Sequence, residues 1–134
     1  MSRLWRRKKK GEAEAFVAEA FMEDLQVVLL PRLRLQDVIA TLSVHERPEE
    51  AIAGLMEHGS PEDAVTILTA IQECMGFSIL GEEKKAVRAL GELLNERGGM
   101  GLMMAVANMF GQRRGGVAMR SLDLMWDGIG DWRG

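Results

Sequence analysis

The side chains in this chain that could do chemistry are few, and their spacing does not assemble them. His45 and His58 are the only histidines. His45 ends a helix in Val44-His45-Glu46, and His58 lies in the turn before Gly59. A histidine near a helix C-terminus meets the negative end of the dipole, so both are expected to stabilise helix ends rather than to move protons. Cys74, the only cysteine, falls on the apolar stripe of its helix and is expected to be a buried, inert thiol. The acid pairs Glu49-Glu50 and Glu82-Glu83 open helices, where the positive end of the dipole accounts for them. Arg97-Gly98-Gly99 and Arg113-Arg114-Gly115-Gly116 read as helix ends, and no phosphate-cradling glycine pattern follows a strand. The expectation is a non-enzymatic protein with no catalytic residue, no metal ligand and no cofactor.

Charge is the first feature left over. Six of the first ten residues are basic (Arg3, Arg6, Arg7, Lys8, Lys9 and Lys10) and none is acidic. The rest of the chain holds the other 11 of the 17 basic residues and all 20 acidic ones, a net charge of −9. Residues 1–11 therefore read as a flexible basic arm, with Trp5 beside the charges as an interfacial anchor. Such an arm suits an anionic membrane surface, where each Lys or Arg contributes about 1 kcal/mol. It equally suits nucleic acid, bound with strong salt dependence and no sequence preference.

The second feature is a methionine-rich, aromatic-ended C-terminal third. Six of the ten methionines lie between Met100 and Met125. Met100, Met103, Met104 and Ala107 form one stripe, while Leu102, Val106 and Met109 occupy the other sides. A helix that is apolar all round belongs in the centre of a domain or in a partner's groove, and flexible thioethers suit either. The segment Val117 to Trp132 carries Trp126 and Trp132, and Trp is enriched among interface hot spots. Met103, Met104, Met109, Phe110, Leu122, Met125, Trp126, Ile129 and Trp132 are therefore the candidate surface for a protein partner or self-association.

Helical periodicity places these residues. From Glu12, apolar residues recur at steps of three and four through Val28, until Pro31 ends the element at Leu30. A shorter helix from about Leu35 carries Leu35, Val38, Ile39 and Leu42 on one face. Pro48-Glu49-Glu50-Ala51-Ile52 and Pro61-Glu62-Asp63-Ala64-Val65 are one helix start written twice, with proline at the first helical position. Ser60 is an N-cap with Asp63 three residues on, and Gly59 is expected to close the preceding helix in the left-handed conformation. The apolar connector Phe77-Ser78-Ile79-Leu80 is expected to lie against the core. Helices are expected from Glu82 to Arg97, stopped by Gly98, then over Met100–Phe110, then from Val117 through Ile129 and Trp132. Gly54 and Gly91 fall inside helices, and close helix–helix approach is the usual reason to accept their cost.

The chain thus reads as all-α: a single-domain bundle of six or seven helices over residues 12–134, behind the basic arm. A single cysteine excludes an intramolecular disulfide and a four-thiolate zinc site. The basic residues are followed by Gly11-Glu12-Ala13-Glu14-Ala15 rather than by the apolar stretch of a secretory signal. The longest uncharged run, Gly98 to Gln112, is shorter than the roughly twenty apolar residues of a bilayer span. A cytoplasmic protein is expected, peripheral to the inner membrane if the arm docks there.

The stretch from Pro48 through Glu50, Ile52, Leu55, Met56, Gly59, Asp63, Ala64 and Val65 to Leu68, preceded by Leu30-Pro31, resembles a helical bacterial domain family of unknown function. Genes of that family tend to lie beside secretion-system genes, notably those of type VI. The resemblance covers about forty residues and implies a helical accessory or adaptor protein that works by binding another protein.

Overall fold

The computed structural model describes residues 32–134. Among these the chain forms five helices and no strand: α1 (Leu35–Val44), α2 (Pro48–Leu55), α3 (Pro61–Met75), α4 (Glu83–Arg114) and α5 (Gly116–Met125). The basic arm and the helix expected from Glu12 lie outside the described residues. α4, kinked at Gly99, is the central element. It packs on α2, α3 and α5, while α3 also holds α1.

Both proline starts form as expected. Pro48 and Pro61 stand in the first turns of α2 and α3, where a missing N–H leaves no bond unmade. At α3 the cap is reciprocal. Asp63 N–H donates to Ser60 Oγ at 3.2 Å, and Ser60 N–H donates to Asp63 Oδ2 at 3.0 Å. Gly59 has no left-handed backbone, contrary to expectation. Its bare Cα makes room for Met56, whose Sδ lies 2.6 Å from where a Cβ would stand.

Among the described residues five elements stand where six helices were expected, because the two helices expected on either side of Gly98 follow one another directly across a kink. α4 runs for 32 residues, and only Gly99 leaves helical geometry, at φ 65° and ψ −158°. Gly99, at a positive φ that glycine adopts without strain, kinks the chain between the two helical stretches. The last expected helix is in turn shorter. α5 stops at Met125, and the chain turns back through Gly128 and Gly130, both with positive φ. Ile129 and Trp132 still face inward, carried by the turn instead of by helical spacing.

Here the Met-rich segment and the terminal aromatics become core. Met103, Phe110, Leu122, Met125 and Trp126 are fully enclosed, and Ile129 and Trp132 nearly so. Trp126 donates its indole N–H to the Val87 carbonyl at 2.8 Å and lies edge-on to Trp132, ring centroids 5.2 Å apart. Trp132 in turn donates to Asp123 Oδ1 at 2.9 Å. Gly91 is the seat of Trp126: a Cβ there would stand 2.5 Å from the indole nitrogen. Gly54, by contrast, is exposed, with nothing within 4 Å of an added Cβ, so close approach does not explain it.

The two glycines therefore predict opposite signs for one substitution. Gly91→Ala should lower unfolding free energy by about 1–3 kcal/mol, because overpacking outweighs the gain in helix propensity. Gly54→Ala should raise it by up to about 1 kcal/mol. Denaturant titration of the two variants measures both.

Candidate functional site

The groups singled out for chemistry are dispersed, and the polar ones shape the chain. His45 and His58 are exposed at the ends of α1 and α2, and His58 Nε2 lies 3.9 Å from Glu57. Among the described residues no three of His, Cys, Asp and Glu are placed to share a metal ion. Cys74 is exposed, contrary to the buried thiol that its stripe implied. Burial on α3 is continuous only as far as Ile71, and Glu73 and Cys74 on the last turn project beyond it.

Arginines close the carbonyl ends of neighbouring helices. Arg88 Nη1 donates to the carbonyls of Met125 and Asp127, each at 2.8 Å. Arg97 donates to the Met56 carbonyl at the end of α2. At the end of α4, Arg113 pairs with Glu62 in the first turn of α3, and Arg114 with Gln72 and Glu73 in its last. Between those two arginines is a hollow of about 270 Å³, lined also by Leu35, Thr66 and Thr69. Both threonine hydroxyls donate to backbone carbonyls one turn back, so they offer lone pairs rather than protons to the hollow. With both guanidiniums already on carboxylates, it holds no free positive charge for an anion.

Two buried carboxylates organise the chain that precedes their helices. Asp63 is fully enclosed. Beyond its cap it accepts the N–H groups of Arg32 at 2.7 Å and Leu33 at 3.0 Å, with the Arg32 guanidinium 3.6 Å away. Burial pushes its carboxyl pKa up, but the N–H groups of Ser60, Leu33 and Arg32, with the Arg32 charge, outweigh that and hold it below the usual range. Glu83, also buried, accepts the Ser78 N–H at 2.7 Å and crowds Gly81, where a Cβ would meet its carboxylate.

The α3–α4 connector folded over Glu83 is the part of the surface that the periodicity misread. Phe77 does pack inward, its ring 5.2 Å from that of Phe110. Ile79 and Leu80 point outward instead, 40% and 92% exposed. The loop is bonded internally: Leu80 N–H donates to Ser78 Oγ at 3.1 Å, and Gly81 N–H to the Ser78 carbonyl at 3.0 Å. Val44 at the end of α1 is 80% exposed as well. The α1–α2 turn, the start of α2, and Met75 and Glu82 on either side of the connector border one cleft of about 460 Å³, lined by Glu46, Arg47, Pro48, Glu49, Met75, Glu82, Lys85 and Ala86.

The candidate partner surface read from the sequence is thereby corrected. Met103, Phe110, Leu122, Met125, Trp126, Ile129 and Trp132 are interior, Met109 is half-buried, and Met104 alone is substantially exposed. Arg3, Trp5, Arg6, Arg7, Lys8, Lys9 and Lys10 lie outside the described residues. No helix among the described residues is long and apolar enough to cross a membrane. No family model, curated protein or solved structure matches the chain.

Asp63 gives a pH-dependent prediction. Its folded pKa is depressed, so its contribution is complete above the unfolded value of about 3.9 and is lost as pH falls through the folded pKa. Asp63→Asn should cost about 2 kcal/mol at neutral pH, because an amide N–H₂ then faces backbone donors. The gap from the parent protein should narrow in acid, as read from urea unfolding at pH 7 and below pH 4.

Proposed function

We propose that this protein is a non-enzymatic helical adaptor that acts by binding another protein, through the end of the bundle formed by the α1–α2 turn and the α3–α4 connector. The observation that carries this reading is Leu80, an aliphatic side chain 92% exposed on a loop whose backbone is held by Ser78 and Glu83. A single exposed leucine is unremarkable on a mobile loop. On one that is internally bonded it is pre-organised, so docking it spends little ordering entropy. Val44 at the end of α1 is a second aliphatic side chain left uncovered, 80% exposed. The resemblance over Pro48–Leu68 supports an accessory role beside a secretion system, in the cytoplasm.

A second reading rests on the six basic residues among the first ten. In it, the arm holds the adaptor against an anionic surface, either the inner membrane or nucleic acid. The two readings are compatible, since an arm can localise what a bundle recruits.

Affinity capture from the host cell with the full chain should recover a stoichiometric partner. Leu80→Ser combined with Val44→Ser should abolish that recovery while changing stability by no more than about 0.5 kcal/mol, because both side chains are exposed. Undiminished recovery with a folded double variant would count against this surface. For the arm, deletion of residues 2–10 should remove binding to anionic liposomes or to nucleic acid, and raising salt should mimic the deletion. A full-length protein that ignores both at low salt ends that reading.

A further inference from the structure

We propose that the protein self-associates through the outer face of α4 beyond its kink, two copies meeting antiparallel about a two-fold axis that passes between Met104 and Ala105. This goes beyond the partner-binding reading and does not depend on it. From Gly98 to Gln112 the chain has no charged residue, and a helix with no charged side is ordinarily buried on every side. The bundle covers only half of this one. Met103, Val106, Ala107 and Phe110 are interior, while Gly101, Met104, Ala105, Asn108 and Gln112 form the opposite face and are exposed, Met104 at 50%. Every other helical stretch among the described residues sets an exposed charge toward solvent: Asp37 on α1, Glu50 on α2, Glu73 on α3, Lys85 and Glu92 on the first part of α4, and Arg120 on α5.

Charge commits this face to a second copy. Beyond its first ten residues the chain carries −9, so contact between two copies on its acidic surface sets like charges together. On the neutral face two copies approach without opposing carboxylate to carboxylate, whereas a partner of opposite charge gains nothing there. Symmetry supplies the fit, because a two-fold contact has to be complementary to itself. In an antiparallel pair centred between Met104 and Ala105, Met104 of one copy meets Ala105 of the other. Asn108 likewise meets Gly101, where an added Cβ would find nothing within 4 Å. Each larger side chain therefore opposes a small one, and the helices can approach closely. About three helical turns on each copy lie at the small end of specific interfaces, so the pair is weak and reversible.

Sedimentation equilibrium of the full chain tests this. It should show monomer and dimer in exchange, with a dissociation constant below about 1 mM. Ala105→Glu and Met104→Lys, both at exposed positions, should each weaken the dimer about tenfold or more while remaining helical by circular dichroism. Ala40→Glu, the same change on the exposed side of α1, should not weaken it. Mixing the two weakened variants should restore pairing, because the axis sets the new base of one copy against the new acid of the other. Raising salt should leave the parent dimer intact or tighten it, since no attraction between charges holds it. A protein that stays monomeric up to about 1 mM overturns the proposal. So does a dimer indifferent to Ala105→Glu and Met104→Lys, or one that salt dissolves, as a basic arm lying on the acidic body of a second copy would. Weakening by both variants with no recovery on mixing overturns the two-fold arrangement.

Discussion

The indole of Trp126 resting on Gly91 is the contact on which the arrangement of α4 and α5 depends. The residue with the largest apolar surface in the core is set against the residue with no side chain, and each requires the other. Burying an indole is favourable only if its N–H finds an acceptor. The Val87 carbonyl supplies one, because a helical carbonyl has a second lone pair to offer. A side chain at position 91 would stand where the indole lies, so α4 tolerates a glycine that weakens it locally in exchange for close approach. Trp132 then stacks edge-on against the same ring, and Arg88 binds the carbonyls that α5 leaves open at its end. The C-terminal segment is thus fixed by a handful of directional bonds around one aromatic pair.

Local signals explain how much of this could be read beforehand. Pro48 and Pro61 mark helix starts by covalent geometry, and Ser60 with Asp63 spells a cap whose partners are three residues apart. Those features needed nothing distant, and they formed as written. Glycines were harder, because one residue type answers different demands. Gly59 yields space to a methionine sulfur, Gly91 to an indole, and Gly99 adopts a backbone that side chains avoid. The pair Gly98-Gly99 does break helical geometry, at Gly99, but a second helical stretch resumes directly beyond the kink. Whether a glycine ends, bends or makes room is decided by its neighbours in space.

The same limit governed the candidate site. Periodicity reports which residues share a face and is silent on whether anything covers that face. Met103, Phe110, Leu122 and Trp126 lie on faces that α4 and α5 turn toward the core, so a stripe that suited a partner's groove is occupied from within. Cys74 errs in the opposite direction, on a stripe that outruns its cover. Leu80 sits in an apolar run between two glycines, and its outward direction is set by a buried carboxylate that accepts a backbone N–H five residues before it. No hydropathy pattern carries that bond. The tether from Asp63 to Arg32 and Leu33 is equally invisible, since it spans some thirty positions.

Asp63 and Glu83 show how ionisable side chains can be consumed in shaping a fold. Each stands in the first turn of its helix, is withdrawn from water, and receives backbone N–H groups from the chain just before that helix or from farther away. A buried carboxylate is costly unless such donors surround it, and a segment with unmet donors is costly unless it finds an acceptor. Joining the two fixes the segment in place. At α3 the result is a closed corner. At α4 it is a connector whose apolar tip faces solvent because its polar backbone is already satisfied within. An exposed leucine held that way has no remaining task inside the bundle.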